Sequence, residues 1–165
     1  MNARLEEIKR EFLSTGDGAA AVLRRSQLVD QTAAALFEGA FGGGPASGVA
    51  LAAVGGYGRR QLFPCSDVDL LFLFERQAAA TAARDPIQTV LREMWDRGLR
   101  ASHSVHTPGE CTSFAADNIE LHISLLDLRS LAGDRGLFDK LGARLPSFYS
   151  RERSEERRVG KECRL

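Results

Sequence analysis

The stretch Val54-Gly-Gly-Tyr-Gly-Arg-Arg-Gln-Leu-Phe-Pro-Cys-Ser-Asp-Val-Asp-Leu70 gathers residue types that handle phosphate and metal. Gly55 and Gly56 follow an unbroken apolar run, Val49 to Val54. Lacking Cβ atoms, such a turn lets backbone N–H groups approach phosphate oxygens closely, helped by the N-terminus of a following helical turn. Arg59 and Arg60 come next, and a guanidinium suits bidentate contact with phosphate. Asp67 and Asp69 then open a second apolar run that ends at Phe74. One residue apart on a strand, their carboxylates share a face while Val68 points to the other.

Two like charges on an otherwise apolar strand cost several kcal/mol if nothing offsets them. A divalent cation relieves that repulsion, and oxygen-only ligands favour Mg²⁺, which keeps waters and bridges to substrate phosphates. Taken singly, each feature has a plain reading: a tight turn, a solvated or capping pair of aspartates, two surface arginines. Taken together they describe metal-dependent transfer from a nucleoside triphosphate. No Gly-Lys-Ser/Thr follows the glycines and no GxGxxG is present, which excludes the Walker A loop and the dinucleotide fingerprint.

The elements that must position these residues follow from the rest of the chain. Its 165 residues, 44% hydrophobic, suit one domain with a true core. The 22 basic and 22 acidic residues balance, which gives no case for a nucleic-acid partner. The longest apolar runs fall far short of the roughly 20 residues a bilayer span needs, so no membrane partner is expected. The N-terminus is charged throughout, without an apolar signal core, and a cytoplasmic location is the expectation. Cys65, Cys111 and Cys163 have no zinc spacing and read as free thiols.

Leu5, Ile8 and Phe12 mark an N-terminal helix over 1–16, broken at Gly16. Asp17 caps a longer helix through Ala40, and Phe41 to Gly48 is a loop. Val49–Val54 and Asp67–Phe74 are strands, joined by a turn-rich segment with room for one or two helical turns. Gln77–Arg84 reads as a polar connector. Asp85 then caps a helix with Pro86 at its first position, Ile87, Val90, Leu91, Met94 and Trp95 facing inward, ending at Gly98. Leu99–His106 is a third strand. Thr107 and Glu110 form a capping box for a short helix to about Ala116. The segment from Asn118 to Ala132 mixes helix and strand signals, and Asp134 caps a last helix through Leu145. The order α, β, α, β, α, β, α gives a compact α/β domain over 17–150.

Residues 151–165 form a charged tail with almost no apolar content. The run Arg153-Ser-Glu-Glu-Arg-Arg-Val-Gly-Lys-Glu-Cys-Arg164 looks like the translation of a sequencing-adapter oligonucleotide. The expectation is a non-native tail on a truncated piece of a longer protein.

With these residues in view, Val54–Leu70 resembles the signature of the DNA polymerase β-type nucleotidyltransferases, a hydrophobic-Gly-Gly/Ser turn before an Asp-x-Asp strand. More narrowly, it is similar to the N-terminal nucleotidyltransferase domain of bacterial PII uridylyltransferase/uridylyl-removing enzymes. The similarity continues in Leu99-Arg-Ala-Ser-His-Ser-Val-His-Thr107 and Ser124-Leu-Leu-Asp-Leu-Arg-Ser-Leu-Ala-Gly-Asp134, covering roughly Leu23 to Leu141. The resemblance implies a polymerase β-type α/β fold, a small mixed sheet flanked by helices. It implies transfer of UMP from UTP to a tyrosine of the PII signal-transduction protein in nitrogen regulation. Gly55 and Gly56 would hold the triphosphate, Asp67 and Asp69 would bind Mg²⁺ as catalytic ligands, and Arg59 and Ser66 would support the phosphates.

Departures from the pattern keep other readings open. Members commonly add a third carboxylate on the next strand, but Leu99–Thr107 contains none, and His106 stands where relatives often have Arg. Asp127 either supplies a late carboxylate, pairs with Arg129 or faces solvent. His103 is either a hydrogen-bonded structural residue or a substrate contact. The motif does not choose the base, so an adenylyl- or other nucleotidyltransferase, or a non-catalytic nucleotide-binding module, are the alternatives. The family's HD-type phosphohydrolase and ACT domains find no match: no His-Asp pair occurs, so removal of UMP is not encoded by these residues.

Overall fold

In the long helix that Asp17 opens, the Asp17 carboxylate accepts the Ala20 N–H at 2.9 Å, and α2 runs over Gly18–Phe41. Before it, α1 (Asn2–Thr15) ends at Gly16, whose left-handed backbone (φ 70°) returns its N–H to the Phe12 carbonyl. The computed structural model describes residues 1–42, 48–113 and 119–162. The expected loop over Phe41–Gly48 lies mostly outside them, as does Cys163.

Four strands, β1 (Val49–Ala53), β2 (Val68–Phe74), β3 (Ala101–His106) and β4 (Arg129–Gly133), form one sheet in the order β3-β2-β1-β4. β1 pairs antiparallel with β2 and β4, and β2 pairs parallel with β3. The small mixed sheet flanked by helices is therefore the observed architecture. β1 and β2 occupy the middle and are covered on both faces, which is why they read as unbroken apolar runs. On one face Leu51, Ala53, Leu70 and Phe72 pack against α2 and α5 (Arg84–Asp96). On the other, Ala50, Ala52, Leu71 and Leu73 pack against Leu125 and α7 (Arg135–Glu162).

Several expectations need correction. Gln77–Ala82 is a helix, α4, not a connector. It passes into α5 through Ala83 alone, so α5 begins at Arg84, and Asp85 lies in its first turn rather than at the cap. Pro86 is tolerated there because the first N–H groups of a helix have no internal partner. Trp95 is 62% exposed: the buried stripe is Ile87, Val90, Leu91 and Met94, and the next step around the helix carries Trp95 off its edge.

The capping box forms, Thr107 N–H donating to the Glu110 carboxylate at 2.7 Å and Glu110 N–H to the Thr107 hydroxyl at 3.3 Å. It opens a 3-10 turn over Glu110–Thr112 that ends at Ser113, and the last residues of the expected helix, to about Ala116, lie outside the described residues. Buried within that turn, the Cys111 thiol is pushed up to about 12 by desolvation. The ambiguous segment contains α6 (Ile119–Ser124), a 3-10 turn (Leu125–Asp127) and β4. The last helix runs past Leu145 and through Pro146 to Glu162. Beyond the proline, buried Phe148 and a 2.6 Å bond from the Tyr149 hydroxyl to the His122 carbonyl hold the next turn.

Asp134 ties two ends together, its Oδ1 accepting the Leu137 N–H at 3.0 Å and its Oδ2 the Gly48 N–H at 2.9 Å. These bonds, the one from Gly48 foremost, hold its carboxyl below the ordinary range. Asp134→Ala should lower unfolding stability by about 1 kcal/mol at neutral pH. Because the folded-state value is depressed, that stabilisation is present above the ordinary carboxyl pKa and disappears as pH falls through the folded one. Chemical denaturation of both proteins from neutral to strongly acidic pH should show the gap closing; a pH-independent gap would contradict the assignment.

Gly58 lies so close to the 3-10 turn that a Cβ there would sit 1.8 Å from the Asp127 carbonyl oxygen. Gly58→Ala should cost about 3 kcal/mol, since backbone must move. Gly142→Ala, where nothing lies within 4 Å, should be neutral or stabilising by up to about 1 kcal/mol. Equal urea midpoints for the two variants would refute the close packing.

Candidate active site

β1 delivers the chain into a single helical turn, α3 (Gly55–Gly58). Val54 still pairs with β2, its N–H donating to the Asp69 carbonyl at 3.2 Å. Gly55 then turns with φ 58°, a conformation that side-chain-bearing residues rarely adopt. A Cβ at Gly55 would stand 3.5 Å from Asp69 Oδ2. The Asp69 carboxylate therefore faces the space beside Gly55 that a side chain would occupy.

Asp67 stands one residue ahead of β2 and Asp69 is the second residue on it. Their partners come from alternate positions next to and on β3. The Arg100 guanidinium lies 3.1 Å from Asp67 Oδ1, and the Ser102 hydroxyl donates to Asp69 Oδ1 at 2.6 Å. Asp69 and Ser102 face each other across the parallel pair. The row Asp67, Asp69, Leu71, Leu73 therefore runs along one face, acids at the open end and leucines beneath α7. Ionic and hydroxyl partners offset part of the repulsion between the two carboxylates, and Asp67, about half exposed, keeps contact with water.

The C-terminal end of α3 is held from β4. Arg129 Nε donates to the Gly58 carbonyl at 2.9 Å and Nη2 to the Tyr57 carbonyl at 3.0 Å. The same guanidinium makes a bidentate pair with Asp30 of α2, at 2.8 and 3.0 Å. Tyr57 is buried under it, and burial together with Asp30 pushes its phenol well above the ordinary range. Asp127 neither pairs with Arg129 nor faces open solvent: its carboxylate pairs with Arg59, which also donates from Nε to Gln61 at 3.3 Å.

Of the residues singled out by sequence, Gly55, Asp67 and Asp69 come together at the head of the sheet. Gly56 lies in the same turn, where a Cβ would stand 3.9 Å from Arg59 Nη2. Arg60 follows in a left-handed conformation, φ 61°. Ser66 sits on the connecting turn, its N–H donating to the Phe63 carbonyl at 3.0 Å, with no side-chain hydrogen bond among the described residues. His103 projects from the opposite face, exposed and edge-on to Phe72 with ring centroids 6.2 Å apart, so it lies on the side of the sheet away from the acids. His106 lies on the acid face but at the far end of β3, its pKa lowered by burial. Sequence reasoning missed Arg100, Ser102, Asp30 and the bracing role of Arg129. Only the alternation Arg100/Ser102 on a strand beside Asp67/Asp69 could have pointed to the first two.

The donor set suits a hard cation. Two carboxylates on one face present oxygen only, and among the described residues no group of three or more His, Cys, Asp or Glu converges. A cation here would take two ligands from the chain and complete its shell with water and phosphate oxygens, the habit of Mg²⁺. An apolar groove of about 560 Å³ between α1 and α2 borrows Phe63 and Pro64 from the connection to Asp67, but its lining does not suit phosphate. No described helix is long and apolar enough to cross a membrane.

No protein-family model matches the chain. It is, however, 42% identical over 140 residues, 85% of its own length, to the bifunctional uridylyltransferase/uridylyl-removing enzyme of Chromobacterium violaceum. The enzyme of the same name from Nitrosospira multiformis is 41% identical over 140 residues, 82% of the chain. That from Bordetella avium is 47% identical over 91 residues, 55% of the chain. These stretches amount to 16%, 15% and 10% of the respective relatives. Over most of its length the chain is therefore similar to the bifunctional uridylyltransferase/uridylyl-removing enzymes, and it spans about a sixth of the length of the two relatives it matches over 140 residues.

Proposed function

We propose that this chain is a nucleotidyltransferase segment that moves UMP from UTP to a tyrosine of the PII signal-transduction protein, with Mg²⁺ held by Asp67 and Asp69. The observation that carries the reading is that Asp69 faces the open space beside the glycine turn, with Asp67 on the same face. A triphosphate lying along Gly55 and Gly56 would meet backbone and no side chain, so its oxygens can come close. The same position brings its phosphates beside the two carboxylates. Bound Mg²⁺ would supply neutralisation of phosphate charge at that point.

The acceptor hydroxyl forms a bond to the α-phosphorus while the bond to pyrophosphate breaks. Such a displacement needs in-line positioning and charge stabilisation more than covalent help from the protein. Arg59 is half exposed at the end of the turn and already aimed by Asp127, so its outer face can meet phosphate. Ser66, one residue before Asp67, is the weaker of the two supports, since no hydrogen bond among the described residues orients its hydroxyl. The acids and the turn address phosphate only. Base choice therefore belongs to residues outside this set, and transfer of another nucleotide is the competing outcome.

Asp67→Asn and Asp69→Asn should each weaken Mg²⁺-dependent UTP binding by about tenfold or more while leaving the circular dichroism spectrum unchanged. In a longer family member carrying the same segment, the equivalent changes should reduce incorporation of α-labelled UTP into PII to background. Labelling at wild-type level in both variants would remove the metal assignment. Offering the four α-labelled nucleoside triphosphates in turn should label PII from UTP alone. Label from ATP would replace uridylyl with adenylyl transfer, and bound UTP without transfer in the longer protein would leave a regulatory nucleotide site.

A further inference from the structure

We infer that Arg129, aimed by Asp30, is a positioning residue that sets the shape of the glycine turn; the inference rests on reading that turn as the phosphate-receiving element. Three of the four residues of α3 are glycine, and no side chain caps it. A single turn of this composition has no internal means of holding one conformation, because glycine is the freest residue and one helical turn is too short to be stable alone. Its shape has to be imposed from outside.

Arg129 imposes it through consecutive carbonyls. The guanidinium donates to Tyr57 O at 3.0 Å and to Gly58 O at 2.9 Å, which fixes the direction of the last two peptide units of α3. Two more of its donors go to the Asp30 carboxylate at 2.8 and 3.0 Å, and its carbon lies 5.4 Å from the centre of the Tyr57 ring. Arg129 and Asp30 are each 20% exposed, so the pair is sheltered enough for its hydrogen bonds to hold their geometry. The three anchors belong to different parts of the sequence: α2, β4 and the turn itself. An arginine needed only to pin α2 to β4 would be satisfied by Asp30. Spending two further donors on the turn backbone is what a device for shaping α3 requires, and a planar fork can do it where an ammonium cannot.

The test uses the full chain with Arg129→Lys, Arg129→Gln and Asp30→Asn. Mg²⁺-UTP binding is followed by calorimetry and amide exchange of 55–60 by mass spectrometry, below the unfolding midpoint of every variant. Arg129→Lys should weaken Mg²⁺-UTP binding by about tenfold. It should also speed exchange at 55–60 while the amides of β1 and β2 stay protected. Asp30→Asn should do the same to a smaller degree, and combining it with Arg129→Gln should add little to Arg129→Gln alone, since both act through one fork. Unchanged local exchange in Arg129→Lys overturns the inference, as does exchange that rises equally across the sheet, which marks a general stability role. If the wild-type chain fails to bind Mg²⁺-UTP, the reading of the site fails. Local exchange at 55–60 then still decides whether Arg129 shapes the turn.

Discussion

Two carboxylates at the head of a strand buried along the rest of its length constrain everything around them. β2 can carry Asp67 and Asp69 only if their face opens to water at that end and closes over Leu71 and Leu73 a few residues on. Strand alternation then dictates the other face as well: Val68, Leu70 and Phe72 must be covered, and α2 and α5 cover them. The parallel neighbour β3 has to bring a cation and a hydroxyl into register with the acids, which Arg100 and Ser102 provide. A one-residue slip would place Ala101 opposite Asp69 and leave both acids without these partners.

The second constraint is the closeness of backbones around α3. Gly58 packs so tightly against the Asp127 carbonyl that no side chain fits, and Gly55 leaves the space that Asp69 faces. The turn therefore sits in a frame made by elements distant in sequence: the 3-10 turn before β4 below it, Arg129 at its carbonyl end, and Asp69 at its start. A sheet built from β1, β2 and β4 brings these together because β1 is flanked by both of the others. Chemistry proposed for the turn and the acids depends on this central position of β1.

Much of this was legible in order along the chain. Asp17 and Asp134 announce their helices because a capping carboxylate acts on N–H groups only a few residues ahead. The buried strands show as apolar runs, and the Thr107/Glu110 box shows in its spacing. β4 was not legible: a five-residue edge strand with half-buried side chains has little pattern of its own, and it becomes a strand by pairing with β1. Trp95 misled because hydrophobicity suggests burial, whereas its angle on α5 puts it at the rim. Asp127 had three readings, and the partner it takes, Arg59, lies 68 residues away.

By itself the sequence determined which residues could handle phosphate and a cation: glycines without side chains, and two acids whose alternation assigns them one face. Those are properties of residue type and of local periodicity, and they survive in any fold that makes β2 a strand. Which atoms meet was decided by tertiary structure alone. The closeness of Asp69 to Gly55 depends on the register of β1 against β2, and the bracing of the turn by Arg129 joins groups 72 and 99 residues apart. No local rule encodes such pairings, because they exist only once the sheet has closed around them.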